Sequence, residues 1–253
     1  MKTLTKNNSL TKVLTLLSLI LIMFSAVSAS AKKNPKILLF CKTAGFHHDA
    51  IEFGVPVILK LGAENNIDID TTTNSEKFTA ENLKQYKAVM FFNTTGDVLN
   101  DTQQAVFEKY IQGGGNFIGV HAATDTEYEW PWYGKLVGAY FVSHPSQQQA
   151  SLNVVNRKHI STKHLPEVWS RKDEWYNFKW VADGLNVLIY IDENSYDPGN
   201  GKMGAKHPMA WYHEYDGGRA FYTELGHTKE SYTDPLYLNH LLGGIKYALG
   251  VKK

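Results

Sequence analysis

The sequence has a single cysteine, Cys41, among its 253 residues, and this scarcity excludes an internal disulfide. Stability must therefore come from a packed core, which a chain with 43% hydrophobic and 13% aromatic residues can supply. The chain also has no excess of charge of either sign, since its 26 basic and 25 acidic side chains leave a formal net charge of +1. We expect no nucleic-acid partner and no general attraction to anionic membranes, since both depend on a basic excess.

Short catalytic motifs are also missing. The chain has no HExxH or CxxC pattern of the kind that binds a metal. The glycines at 113–115 precede an apolar run, whereas a dinucleotide-binding glycine loop follows a strand. The turn after that run, His121-Ala122-Ala123, has neither the serine nor the cysteine of a nucleophile elbow. Because Cys41 lies inside another apolar run, we expect it in the core, and thiol catalysis is disfavoured.

The first residues have the pattern of a targeting segment. A basic start, an apolar run at 13–27 and small residues at Ala29 and Ala31 are typical of a secretory signal peptide. We predict a signal peptide over residues 1–31, cleaved near Ala29 or Ala31, and one domain over residues 32–253. The apolar run is shorter than the roughly 20 residues of a membrane span, and an uncleaved anchor is the alternative. A periplasmic or secreted protein, without stable membrane insertion after cleavage, is therefore expected.

Short apolar runs alternate with helical patterns in the first half of the chain. We predict strands at 36–41, 67–72, 88–92 and 116–120, and helices at 51–64, 80–86 and about 100–112. In the second half we predict a helix at 130–141, strands at 147–155 and 185–191, a hairpin at 209–225 and a closing helix at 234–249. Alternation of this kind predicts an α/β fold with a mainly parallel sheet and antiparallel additions.

Histidines and a carboxylate follow several of these strands. His47 and His48 follow the first strand, and the others are His121 after the fourth, Glu174 after a strand-like stretch and His227 after the hairpin. Open α/β sheets bind ligands beyond the carboxyl ends of their strands. We therefore expect the catalytic residues His47, His121, Glu174 and His227 to line one pocket, with His121 at a loop tip with little burial. His121, His227 and Glu174 could also bind zinc or manganese.

Neighbouring residues are candidates for substrate binding, because aromatic faces stack on sugar rings. The candidates are His48, Asp125, Trp175, Tyr176 and Trp211. Trp211 lies in the hairpin and fits the core equally well. A structural interpretation of the site also stays open, in which Glu174 pairs with a basic side chain and the histidines bond to loop backbone. We expect His159 and His164 on the surface, and His240 packed or partly exposed in the closing helix.

Several stretches together resemble the trehalose-utilisation, or ThuA-like, family. The matching residues are 36–48, 113–125, 173–176, 207–211, 218–222 and 226–227. The resemblance implies a flavodoxin-like three-layer α/β/α sandwich, similar to class I glutamine amidotransferases. In those relatives the turn after the fourth strand bears the catalytic cysteine. This chain has His121 there, so glutaminase activity is not expected.

The resemblance further implies a role in carbohydrate use. We predict an exported protein that carries out hydrolysis, elimination or isomerisation of a sugar or keto-sugar derivative at a histidine–carboxylate site, assisted by a divalent metal if one binds. A non-catalytic carbohydrate-binding module is the alternative. The set of histidines favours the enzyme, because a binding module needs aromatic residues but not several histidines.

Overall fold

A computed structural model describes residues 33–251 of the chain, so the predicted signal peptide lies outside the described residues. The strands are β1 (Lys36–Phe40), β2 (Asp68–Thr72), β3 (Ala88–Phe92), β4 (Asn116–Val120), β5 (Ala139–Ser143), β6 (Gln148–Val154), β7 (Val168–Asp173), β8 (Asn177–Val181), β9 (Asn186–Ile191), β10 (Pro208–Tyr215) and β11 (Gly218–Thr223). The helices are α1 (Ala50–Glu64), α2 (Ala80–Leu83), α3 (Asp101–Gln112), α4 (Pro131–Val137) and α5 (Pro235–Ala248). Within 33–251, no helix has the length and apolar character needed to cross a membrane.

Nine strands form one mixed sheet in the order β2-β1-β3-β4-β11-β10-β9-β6-β7. The pairs from β2 to β11 are parallel, and the pairs from β11 to β7 are antiparallel. The predicted α/β class, with a parallel sheet and antiparallel additions from the second half, is confirmed. The predicted hairpin forms as β10 and β11. Because β11 pairs with β4, this late part of the chain lies at the centre of the sheet.

Helices cover both faces of the parallel half. Phe91 and Phe92 of β3 point to opposite faces, because successive side chains alternate along a strand. Phe91 stacks on Phe107 of α3, with 5.5 Å between ring centroids. Phe92 contacts Tyr232, in the loop before α5, on the other face at 5.7 Å. All four rings are buried, and they form the two core layers of the sandwich.

The region predicted as one helix at 130–141 differs from the prediction. α4 ends at Val137, because Gly138 has a φ of +96°, a left-handed conformation that terminates helices. The chain then enters β5, which pairs with β8 in a separate two-stranded ribbon. β8 was not predicted. This ribbon forms one side of the site described below.

The antiparallel half of the sheet curves around α5. Trp169 of β7 lies 6.3 Å from the ring of His240 on α5, and Arg171 of β7 lies over the ring of Tyr237 at 5.2 Å. α5 also packs on β11, so both ends of the antiparallel half contact the same helix. Four antiparallel pairings separate β7 from β11, and the two strands therefore run in the same direction. As a result β1, β4, β7 and β11 all end at one edge of the sheet.

Candidate functional site

Four side chains meet beyond the carboxyl ends of these strands. His121 and Glu174 directly follow β4 and β7, while His48 and His227 lie in the loops after β1 and β11. One possible ligand atom from each residue lies within 4.8 Å of the others. We call these residues the four-residue cluster. Their convergence follows from the common direction of the strands, since loops at one edge of an α/β sheet face the same space.

The turn after β4 holds His121 in a strained conformation. Its φ is +48°, and a residue with a Cβ adopts this region at a cost of about 1–3 kcal/mol. Tyr222 Oη donates to the backbone oxygen of His121 at 2.7 Å, and His121 Nδ1 donates to the backbone oxygen of Glu224 at 2.7 Å. The side chain is fully buried, which corrects the expectation of a loop tip with little burial. Strain of this kind concentrates at functional sites.

Three of the possible ligand atoms form a nearly equilateral triangle. His227 Nδ1 is 3.1 Å from Glu174 Oε2 and 3.2 Å from His121 Nε2. The third side, from His121 Nε2 to Glu174 Oε2, is 3.5 Å. A tetrahedral zinc ion with bonds of about 2.0–2.1 Å keeps its ligands about 3.3 Å apart. The spacing therefore fits a small divalent ion.

His48 completes the cluster from the side of β1. Its ring lies 5.0 Å from His121 and 5.1 Å from His227, edge to face in both cases. Its Nδ1 is buried and has no hydrogen-bond partner among the described residues, although buried polar atoms are nearly always satisfied. Burial, reinforced by His121 and His227, lowers the pKa of His48 to about 2. The neutral imidazole is the form that binds metals.

Hydrogen-bond partners outside the cluster orient the ring nitrogens of His121 and His227. Because His121 Nδ1 donates to a backbone oxygen, its Nε2 is unprotonated and faces the cluster. His227 Nε2 lies 2.8 Å from the side-chain amide nitrogen of Gln147. Rotation of this amide by half a turn would present its oxygen to Nε2–H and leave Nδ1 free for a metal. Both histidines can therefore adopt the tautomer that a metal requires.

Glu174 supplies the charge of the cluster. Burial disfavours its carboxylate, but the neighbouring imidazoles of His121 and His227 outweigh burial and lower the pKa of Glu174 below its ordinary value. Its other oxygen, Oε1, lies 3.2 Å from Nδ1 of His144, whose side chain is 41% exposed. His144 thus connects the buried cluster with solvent. The sequence pattern did not identify His144 as a site residue, because the helix predicted at 130–141 obscured β5, the strand that it follows.

A buried ion pair supports the loops that carry Glu174 and His227. Asp173 accepts from the backbone N–H of Glu174 through Oδ1 and from that of Gly226 through Oδ2, both at 3.1 Å. Arg171 donates to the same Oδ2 at 2.9 Å. Asp173 therefore holds the backbone of both loops that carry these cluster residues. The sequence shows only an alternating Arg-Lys-Asp strand end, which has no distinctive pattern.

His47, predicted as a catalytic residue of the same pocket, lies outside it. Its Nε2 contacts Glu52 at 2.7 Å, and its side chain is 50% exposed. Its Nδ1 lies 3.1 Å from the hydroxyl of Thr43. This prediction is corrected, and His48 takes the position in the cluster. Two adjacent loop residues commonly point in different directions, and the sequence does not show which of them points inward.

Two predicted sugar-binding aromatics are core residues instead. Trp175 and Trp211 are fully buried. The Trp175 indole donates to the backbone oxygen of Gln148 and the Trp211 indole to that of Val137, each at 2.9 Å. Neither ring has a face free for a ligand, so the predicted role of both in substrate binding is corrected.

Tyr176 and Asp125 lie beside the cluster. The Tyr176 ring packs on His121 at 4.2 Å and is buried, so it supports the histidine and presents no open face to a sugar. Asp125 is half-buried and accepts from Tyr128 Oη at 2.6 Å. Burial raises the pKa of Asp125, although the bond from Tyr128 opposes this effect. Tyr176 therefore supports the cluster, and the predicted role of Asp125 in substrate binding stays a prediction.

Other predictions concern residues outside the cluster. His159 is buried and stacks on Tyr212 at 4.4 Å, which corrects its expected surface position. His164 is half-buried and contacts the backbone oxygen of Leu236 at 3.0 Å. Cys41 directly follows β1 and is buried as expected. Burial, together with the charge of Glu52, raises the pKa of its thiol to about 11.

Solved structures of other proteins share this fold. A ThuA-like protein from Bacteroides uniformis matches with a TM-score of 0.74 at 24% sequence identity, over 89% of this chain and 96% of that one. A ThuA-like protein from Parabacteroides merdae matches with a TM-score of 0.69 at 20% identity, over 87% and 93%. A cytoplasmic protein from Salmonella typhimurium has a TM-score of 0.59 at 11% identity, over 84% and 98%. A search of curated protein sequences finds no significant match.

The family model for ThuA, described as trehalose utilisation, matches residues 36–248. The match includes the whole sheet and all members of the four-residue cluster. It also extends over most of the chain, from the start of β1 to the end of α5. The protein therefore belongs to the ThuA, or trehalose-utilisation, family.

Proposed function

We propose that this protein is an exported, metal-dependent enzyme that acts on a sugar or on an oxidised keto-sugar derivative. The observation that carries the proposal is the convergence of three imidazoles and one carboxylate. This donor set suits zinc or manganese. The carbohydrate assignment is based on the family description, trehalose utilisation. Export is based on the basic start and apolar run of residues 1–31, and a mature amino terminus near residue 30 or 32 is expected.

The ligands are His48, His121, Glu174 and His227. A divalent ion bound there, with a substrate oxygen or a water molecule as an added ligand, would supply Lewis-acid chemistry that polarises that oxygen or acidifies that water. His144 is well placed to exchange a proton with the substrate, because its ring reaches solvent and its Nδ1 contacts Glu174. Asp125 can accept a hydrogen bond from a substrate hydroxyl. These roles suit hydrolysis, elimination and isomerisation, all of which require a polarised oxygen and a proton carrier.

Metal analysis of protein purified without an affinity tag or chelator tests the proposal. We expect about one zinc or manganese ion per chain. His227→Gln should lose the metal, whereas the matched control His164→Gln should keep it, because His164 contacts the backbone oxygen of Leu236 and is not a member of the cluster. Wild-type protein that neither retains nor takes up either metal would contradict the metal centre.

Turnover distinguishes the enzyme from a carbohydrate-binding module. The metal-loaded protein should convert at least one member of a panel of glycosides and their keto derivatives. His144→Gln should lower kcat roughly 100-fold while metal content stays unchanged. Saturable sugar binding without conversion of any member would instead support the binding module.

A further inference from the structure

A cavity of about 290 Å³ opens beside the four-residue cluster and includes His227 in its wall. Its lining also contains Phe46, Gln147, and the charged residues Asp49, Lys229 and Glu230. The cavity therefore combines one large apolar face with a polar rim next to the possible metal ligands. Ligand sites have this composition, with an apolar wall and a few convergent polar groups.

Phe46 is an exposed ring on an anchored stretch of backbone. Its side chain is 66% exposed, although burial of such a ring would normally stabilise the fold. The backbone around it is anchored, because the Thr95 hydroxyl donates to the oxygen of Phe46 at 2.8 Å and accepts from the N–H of Gly45 at 3.2 Å. The ring meets His48 edge to face at 4.9 Å. Phe46 thus presents an open aromatic face directly beside the cluster.

The rim favours a neutral polar ligand over an anionic one. Lys229 Nζ pairs with Asp49 Oδ2 at 3.3 Å, and Glu230 adds a second carboxylate to the lining. The three charged groups of the rim therefore sum to one negative charge. A phosphate would meet two carboxylates and one ammonium, whereas hydroxyl groups can donate to the carboxylates and accept from Lys229 and Gln147.

We propose that Phe46 is the stacking platform of a subsite for a neutral, unphosphorylated sugar ring. The C–H face of the sugar packs on Phe46, its hydroxyls bond to Asp49, Gln147 and Lys229, and its reacting end reaches the cluster at His227. This inference rests on the proposed function for the chemistry at the cluster. The subsite itself depends only on the cavity and its lining.

Calorimetric titration of the full-length mature protein tests the subsite, with trehalose, glucose and methyl glucoside as neutral probes and glucose 6-phosphate and trehalose 6-phosphate as anionic ones. At least one neutral probe should bind, and the phosphorylated form of that sugar should bind at least about tenfold more weakly. Phe46→Ala should raise Kd for the neutral sugar about tenfold, and Phe46→Trp should keep it near the wild-type value. Phe53→Ala is the matched control, because Phe53 is a 41% exposed ring outside the cavity lining and its loss should leave Kd unchanged.

The outcomes separate this inference from the proposed function. Failure of every neutral probe to bind, tighter binding of a phosphorylated probe, or an unchanged Kd in Phe46→Ala would each overturn the subsite. Metal content, measured on the same samples, tests the four-residue cluster independently. Sugar binding that depends on Phe46 in a protein that takes up no metal would uphold the subsite and contradict the metal enzyme.

Discussion

His48 and His240 are both buried histidines, and burial is the largest effect that lowers their pKa values, to about 2 and about 3. Their nitrogens differ in what they contact. His240 Nδ1 lies 2.9 Å from the backbone oxygen of Ser161, and its Nε2 lies 3.1 Å from the hydroxyl of Thr223. His48 Nδ1 has no such partner among residues 33–251. Burial alone therefore does not distinguish a functional histidine, whereas the direction of its nitrogens does.

The same contrast holds for other histidines inside and outside the four-residue cluster. His207, outside the cluster, contacts Glu193 at 3.0 Å and the backbone oxygen of Tyr176 at 2.8 Å, so both of its nitrogens have protein partners. Within the cluster, His121 Nε2 and His227 Nδ1 face each other at 3.2 Å. Two nitrogen lone pairs at that distance repel unless a proton or a metal ion lies between them. His207 and His240 therefore have protein partners for both nitrogens, whereas His121 and His227 have to share one proton or one ion between them.

Substitution of the neighbouring residues His47 and His48 should give the largest difference in metal affinity and turnover. His48→Gln should weaken zinc binding by about 100-fold or more and abolish turnover, since even outer partners of metal ligands change affinity by roughly 10- to 100-fold. His47→Gln should leave both unchanged, because that side chain contacts Glu52 in solvent. Zinc affinity is measured by competition with a chelator. Equal losses in the two variants would remove His48 from the ligand set.

Removal of the metal should produce the next largest effect. At a free metal concentration of 100 times Kd, binding stabilises the folded state by about 2.7 kcal/mol. For a domain of this size, that loss lowers Tm by roughly 5–10 °C. Calorimetry with and without EDTA measures the shift. Glu174→Gln should melt at one temperature in both conditions, and a shift of wild-type size in that variant would contradict its role as a ligand.

The parts of the fold that sequence patterns predicted are those with a local cause. The strands that became β1, β3 and β4 are short apolar runs, and α3 begins at a capping box formed by Asn100 and Gln103. These features act over a few residues, so they can be recognised without tertiary contacts. The α/β class follows from their order along the chain.

The parts that sequence patterns missed depend on long-range packing. Whether His47 or His48 points inward is decided by contacts with His121 and His227, more than 70 residues away. The link from His144 to Glu174 depends on the pairing of β5 with β8. Trp175 looks like a sugar platform beside Glu174, but the side chain is enclosed by the core. Strand ends thus indicate the location of a site, whereas packing selects its members.

Replacement of His240 should have a smaller effect, on the pH dependence of the free energy of unfolding. The unfolded chain protonates this histidine near 6.5, whereas the folded protein keeps it neutral down to about 3. Between these pH values the unfolded state binds more protons, so the free energy of unfolding decreases as pH falls, by at most about 1.4 kcal/mol per pH unit. Urea titrations from pH 7 to pH 5 should show a shallower slope for His240→Gln. His47→Gln is the exposed control, and a wild-type slope in His240→Gln would contradict this assignment.

Cys41→Ala should have the smallest effect and sharpens the contrast between buried and reacting groups. The thiol is buried against the backbone oxygen of Thr72, with Sγ 3.9 Å away. Because burial and Glu52 raise its pKa to about 11, it stays protonated and unreactive at neutral pH. Loss of the small side chain should cost about 1 kcal/mol in the free energy of unfolding and leave kcat unchanged. Turnover, denaturant titration and labelling of the native protein with iodoacetamide measure these effects. Loss of activity in a well-folded Cys41→Ala variant, or rapid labelling of the native thiol, would show that Cys41 takes part in the chemistry and that the cluster does not act alone.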